Sequence, residues 1–112
     1  MEKYIYRAKL ERVVDGDTLD ASIDLGFDVI VRKRIRLVGI NTPEVRGEER
    51  EEGLKSRDWL REKILDKQIT LRTAKDRKGK YGRWLGAVIL HSTNINQEMI
   101  SLGLAEKYVT KT

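Results

Sequence analysis

Four groups of residues carry side chains suited to phosphate or metal chemistry. Asp17 shares a strand face with Leu19, Ala21 and Ile23, which turns its carboxylate inward at the start of that strand. A core-facing carboxylate requires a cation or several hydrogen-bond donors; the plainer account is a turn aspartate bonding local backbone amides. Arg32, Arg34 and Arg36 alternate along the next strand. Such a row is usually a solvated face, yet guanidinium groups at two-residue spacing also suit a phosphate backbone, each giving paired donors. Asn41-Thr42-Pro43-Glu44 gathers an amide oxygen, a backbone carbonyl and a carboxylate at a proline-fixed turn. Hard cations such as calcium take this mixture of oxygens, although a capping turn is the commoner meaning of the four residues alone. Lys80-Tyr81-Gly82-Arg83 ends a basic stretch that begins at Lys75. Positive charge beside an aromatic suits a loop that grips phosphates and stacks a base; the alternative is a flexible charged hairpin.

Together these groups point further than any one of them. Phosphodiester cleavage needs a metal to neutralise the phosphate and a base to activate water. It also needs cationic donors for the charge that builds on the phosphorane and the leaving oxygen. Asp17 and Glu44 supply carboxylates, the turn at 41–44 supplies a hard-metal loop, and Arg36 and Arg83 supply the donors.

Composition narrows the chemistry from the other side. The sequence has no cysteine and a single histidine. Disulfides, thiolate nucleophiles, Cys-ligated zinc and His clusters are therefore excluded. His91, in the turn His91-Ser92-Thr93-Asn94, reads as a surface residue. A net charge of +5 favours polyanionic partners, most often nucleic acid or an anionic membrane surface, although a merely soluble surface accounts for it equally well; a monomer is the default for so charged a domain. No apolar run approaches the ~20 residues of a membrane span. Met1-Glu2-Lys3-Tyr4 leads straight into strand-like alternation and not into a signal-peptide core. A cysteine-free chain is compatible with any compartment, the cytoplasm or the exterior with a signal already removed.

The elements that must position these groups follow from periodicity. Tyr4, Tyr6, Ala8 and Leu10 face one way and Ile5, Arg7 and Lys9 the other, the pattern of a half-buried strand. Asp15-Gly16 turns the chain into a second alternating strand, and Leu25-Gly26 turns it into a third from about Phe27 to Gly39. A polar loop leads to a helix over roughly 50–65, with Ser56, Trp59, Leu60 and Ile64 on one face. Strands follow at 68–74 and from Trp84 to Leu90. Trp59 and Trp84 are expected in the core. Asn94 caps a last helix carrying Ile95, Met99 and Leu102, and Gly103 ends it. Residues 1–112 thus form one domain of mainly β, α+β character: a five-stranded OB-type Greek-key barrel with two to three packed helices.

Three segments occur in an order that resembles the staphylococcal-nuclease-like (thermonuclease) family: Val14-Asp15-Gly16-Asp17-Thr18-Leu19, then Arg36-Leu37-Val38-Gly39-Ile40-Asn41-Thr42-Pro43-Glu44, then Tyr81-Gly82-Arg83. Ile95-Asn96-Gln97 through Gly103-Leu104-Ala105 is similar to that family's later helix and its exit, so the likeness runs from about residue 4 to 108. It implies a five-stranded OB-type barrel and a calcium-dependent endonuclease acting on DNA and RNA, single strands preferred, and leaving 3′-phosphates. By this resemblance Asp17, Asn41 and the Thr42 carbonyl bind metal, Glu44 is the proposed general base, and Arg36 and Arg83 stabilise charge on the phosphate. Lys80 and Tyr81 contact a terminal phosphate, and Tyr108 supplies a stacking aromatic. One position departs from the pattern. Asn41 stands where the best-known members carry a second metal-binding aspartate, and a lost negative charge weakens a divalent-cation site.

Two further readings compete. An OB-type barrel can bind single-stranded nucleic acid without cleaving it, and Asn41 is the feature that points there. A purely structural barrel would have to acquire three ordered segments by coincidence.

Overall fold

The computed structural model describes residues 4–75 and 84–108. Lys80, Tyr81 and Arg83 lie outside the described residues. Three long strands open the chain: β1 (Ile5–Asp15), β2 (Thr18–Asp24) and β3 (Ile30–Leu37). They form the expected antiparallel meander. A two-residue strand β4 (Ile40–Asn41) precedes a 3₁₀ turn (Gly47–Glu49) and helix α1 (Arg50–Ile64). Strands β5 (Gln68–Lys75) and β6 (Trp84–Leu90) follow, then the short β7 (Thr93–Asn94), helix α2 (Ile95–Ser101) and the short β8 (Glu106–Lys107).

The five long strands close into a barrel. β5 pairs antiparallel with β1 and with β6, and β6 returns to β3 in parallel through Ile35↔Trp84, Arg36↔Leu85 and Leu37↔Gly86. This is the OB-type Greek key expected from element order. Irregular register between Leu10 and Arg12, and again between Val13 and Asp15, marks bulges in β1. Bulges bend and twist a strand, as a long strand shared by both halves of a barrel requires.

The seam between β3 and β6 depends on two residues. A Cβ on Gly86 would stand 2.7 Å from Ile35 Cγ2, so the strands approach only because position 86 has no side chain. Asn96 of α2 is fully buried and spans the seam. Its Oδ1 accepts from the Val88 amide at 3.1 Å, and its Nδ2 donates to the carbonyls of Val38 at 2.8 Å and Gly86 at 3.1 Å. A buried amide with its donors and acceptor engaged fixes position without the penalty of an unsatisfied polar group.

The core is aliphatic. Leu19, Ile35, Leu37 and Ile40 meet Leu60 and Ile64 of α1 and Ile95 and Met99 of α2, and Trp59 and Trp84 pack on its margin. Helix α1 buries Gly53, Ser56, Leu60 and Ile64, one stripe at three- and four-residue spacing. Asn94 caps α2 as expected, its side chain accepting from the Gln97 amide at 3.1 Å.

Three details differ from the sequence reading. The third strand begins at Ile30 and not at Phe27, because Gly26, Phe27 and Asp28 all take positive φ and extend the turn. Leu102 is exposed, because α2 ends at Ser101 and turns its buried side inward through Ile95, Asn96 and Met99. Tyr4 precedes the first strand and is exposed.

Candidate active site

The turn between β1 and β2 sets two carboxylates side by side. Asp15 Oδ1 accepts the backbone N–H of Asp17 at 3.0 Å. Asp17 is buried; its Oδ1 accepts the Thr18 hydroxyl at 3.0 Å and its Oδ2 the Thr42 amide at 3.1 Å. Arg36 Nη2 lies 3.8 Å from the same Oδ2, a loose ion pair. Burial, with the adjacent Asp17 carboxylate adding to it, pushes the Asp15 carboxyl up to about 6. Burial opposes ionisation of Asp17 as well. There the hydrogen bond with Asp15, the Arg36 guanidinium, the Thr42 amide and the Thr18 hydroxyl together outweigh it and hold the pKa below the usual value. Asp17 therefore keeps the negative charge, and Asp15 holds a proton into mildly acidic pH.

Arg36 is fixed by more than that ion pair. It leaves the last turn of β3 with Nη1 donating to the carbonyls of Leu37 at 2.9 Å and Ile40 at 3.1 Å. Its Nη2 also donates to Asn41 Oδ1 at 3.3 Å. The guanidinium lies 5.6 Å from the centroid of the Tyr108 ring, a cation–π distance. Tyr108 is held in turn by its own amide, which donates to the Gly39 carbonyl at 2.9 Å. The short β4–β8 pairing, Ile40↔Lys107 and Asn41↔Glu106, brings that end of the chain to the site.

Two glycines let the site assemble. A Cβ on Gly16, between the two aspartates, would come within 2.9 Å of Thr42 Oγ1 and 2.8 Å of Ser56 Cβ. A Cβ on Gly53 would collide with the Glu44 carbonyl oxygen and stand 2.8 Å from that of Pro43. The carboxylate turn, the loop at 41–44 and helix α1 are thus in backbone-level contact. Ser56, on the same helix stripe, donates its hydroxyl to the Leu104 carbonyl at 2.6 Å and ties down the segment leading to β8.

Of the residues singled out in the sequence, Asp17, Arg36, Asn41, Thr42 and Tyr108 come together. Glu44 follows on the same loop with its side chain exposed, and makes no side-chain hydrogen bond or ion pair among the described residues. Arg34 is not part of the cluster: its guanidinium binds both oxygens of Asp20, at 2.8 and 3.2 Å, which raises its own pKa and lowers that of Asp20. His91 sits exposed in its turn. Sequence reasoning treated Asp15 only as a turn former. The signal was there: two aspartates flanking one glycine at a strand turn put two carboxylates at one point. Among the described residues no three His, Cys, Asp or Glu side chains converge on one point. A hard cation here would draw on the Asp15–Asp17 pair and on neutral oxygens of Asn41 and Thr42, a set compatible with calcium.

Comparisons with known proteins identify the family to which this barrel belongs. The sequence profile of the family described as "Staphylococcal nuclease homologue" matches residues 34–112. Among curated relatives, Endonuclease YhcR of Bacillus subtilis (strain 168) is 33% identical over 92% of this chain and 9% of its own length. Protein ParB of Escherichia coli is 31% identical over 91% of this chain and 57% of its own. The Thermonuclease of Staphylococcus intermedius is 30% identical over 86% of this chain and 56% of its own. The chain thus spans a small part of the first relative and little more than half of the other two. With the profile covering well over half of the sequence and the barrel and its carboxylate turn in place, the chain belongs to the staphylococcal nuclease family.

Proposed function

We propose that this domain is a metal-dependent endonuclease that hydrolyses phosphodiester bonds in DNA and RNA, preferring single strands, and leaves 3′-phosphate ends. The observation that carries this reading is the meeting of the Asp15–Asp17 pair, Arg36 and the Asn41–Thr42 loop within hydrogen-bond or ion-pair reach. Two adjacent carboxylates, Asp17 buried and Asp15 half-buried, that cannot both ionise freely are what a divalent cation stabilises. Calcium held by Asp17, Asn41 and the Thr42 carbonyl would neutralise phosphate charge and acidify a bound water.

The chain's own residues supply the rest. Arg36, pinned by two backbone carbonyls, presents a pre-set donor to a phosphate oxygen, so little side-chain freedom is lost as charge develops. Glu44 is the general base: its backbone is wedged by Gly53 while its carboxylate stays open to water. Arg83 stabilises the leaving side of the phosphorane, Lys80 and Tyr81 contact a terminal phosphate, and Tyr108 offers a ring for stacking a base. Two relatives, a thermonuclease and an endonuclease by name, support the same reaction class.

One observation favours a second reading. Asn41 brings a neutral oxygen to the site and spends it on Arg36, the arrangement expected of a barrel that binds nucleic acid with little or no turnover. Incubation of 5′-labelled single-stranded DNA and RNA with the protein and calcium, magnesium or chelator tests the proposal. Cleavage in calcium, with product ends that a 3′-phosphatase shortens in charge, supports it. Products ending in 3′-hydroxyls overturn the proposed reaction course, and binding without cleavage in any metal favours the second reading.

A further inference from the structure

The β2–β3 hairpin ends in an apolar tip that the fold does not use. Leu25, Phe27, Val29 and Ile30 are all exposed, and Phe27 is 101% exposed, its ring meeting no part of the domain. The tip is nevertheless ordered by its own bonds. The Leu25 amide donates to the Val29 carbonyl at 2.9 Å, the Val29 amide to the Gly26 carbonyl at 2.9 Å, and the Gly26 amide to Asp24 Oδ1 at 2.8 Å. Phe27 and Asp28 hold φ of 55° and 61°, a left-handed conformation that is unfavourable for a bulky aromatic. A strained turn that projects a phenyl ring into water gains nothing for folding, so its use lies in binding.

The surroundings indicate what it binds. Ile30, at the base of the tip, and Arg36 stand at opposite ends of β3, about 20 Å apart at about 3.3 Å per residue. The outward face of the sheet connects them. There Ser22 pairs with Arg32 and with Lys9, Asp20 pairs with Arg34 and with Arg12, and Thr18 pairs with Arg36. Glu11, whose Oε1 accepts the Ser22 hydroxyl at 2.6 Å, lies on the same face; with Arg34 neutralised by Asp20, the exposed Arg32, Lys9 and Arg12 outnumber it and leave this path basic.

We propose that this face is a secondary subsite for the single-stranded flank of a nucleic-acid substrate, with Phe27 stacking on a base and Arg32 contacting phosphate. The inference rests on the proposed nucleolytic reading, because it extends the same polyanion from Arg36 along one continuous surface. A separation of about 20 Å falls within the 4–16 nucleotides that an OB-type barrel covers. A membrane surface would account for the apolar tip and the basic face, but not for the continuity with a phosphate-binding arginine at the far end of the same strand.

Affinities of a tetranucleotide and of a single-stranded 20-mer, measured by fluorescence anisotropy in chelator, separate this subsite from turnover. The wild-type protein should bind the 20-mer more tightly than the tetramer. Phe27→Ala should reduce that gain roughly 5- to 150-fold, the usual range for one base–aromatic stack. Phe27→Trp should retain it. Arg32→Ala should reduce the salt slope for the 20-mer by about 0.7, the value for one phosphate contact on a single strand. Equal 20-mer affinity in wild type and Phe27→Ala overturns the proposal. So does a Phe27-dependent change in binding to anionic phosphatidylserine vesicles, or in self-association, with oligonucleotide affinity unchanged. Failure of the nucleolytic reading would instead show as absent cleavage alongside an intact, Phe27-dependent length effect.

Discussion

Gly53 of α1 lies against the backbone of Glu44, close enough that a Cβ at position 53 would overlap the Glu44 carbonyl oxygen. The general base proposed here is thus positioned by the absence of a side chain on a neighbouring helix. In an exposed helix, replacing glycine by alanine stabilises by about 0.5–1 kcal/mol. At this position the sign should reverse. Gly53→Ala should lose about 1–3 kcal/mol through overpacking and should depress turnover, because the 41–44 loop must move. Urea denaturation read beside kcat is the check. A stabilised variant with full turnover would show that the helix and the loop are not in the contact described.

Asp15 and Asp17 titrate as a pair, and the sign of the effect follows from their shifts. Asp15 has a folded pKa raised to about 6 from 3.8. Its contribution to stability is therefore fully present below 3.8 and is lost as pH rises through 6. Asp17 is lowered, so its contribution is present above the ordinary carboxylate value and is lost as pH falls further. In chelator, a carboxyl-carbon NMR titration should place the Asp15 midpoint near 6. Asp17→Asn should move it down by removing a like charge. An Asp15 midpoint at the ordinary carboxylate value in the unmutated protein would contradict the geometry of the turn.

Asn41 limits the cation site by charge and not by position. Asn41→Asp should raise calcium affinity by roughly tenfold or more, since affinity at such sites is tuned by ligand charge. The same change should tighten the contact with Arg36, now 3.3 Å from a neutral oxygen. Calorimetric titration with calcium, without any substrate, reads the difference. Unchanged affinity would place the cation away from this residue.

Asn96 holds the barrel seam. Asn96→Ala leaves the Val88 amide and the Val38 carbonyl without their buried partner and should cost about 2–4 kcal/mol. Thermal or denaturant unfolding measures it; a loss under about 0.5 kcal/mol, the size of an ordinary surface change, would mean that the seam closes without this residue.

Most of the fold was legible in the sequence because its determinants are local. Strict alternation fixed the faces of β1 and β2, an apolar stripe fixed α1, and Asn94 and Gly103 bracketed α2. The inward carboxylate of Asp17 could be read from the same alternation. What escaped depends on approach in three dimensions. No local pattern reveals that Gly16 and Gly53 bring the turn, the loop and the helix into backbone contact, or that Asn96 reaches across to Val38. Asp15 was passed over because an Asp-Gly pair is the ordinary composition of a turn. The start of β3 reads too early because the apolar residues from Phe27 look like strand, whereas positive φ at Phe27 and Asp28 keeps them in the turn and the strand begins at Ile30.

Calcium-dependent cleavage of single-stranded DNA by the wild-type protein and by Glu44→Gln decides whether Glu44 activates water in a working nuclease. Chelator should abolish cleavage, and in the variant kcat should fall about 10²- to 10⁴-fold with oligonucleotide affinity retained. Near-wild-type turnover in Glu44→Gln would remove the base from the mechanism. Retained binding with no cleavage in calcium or magnesium would contradict the nuclease assignment itself.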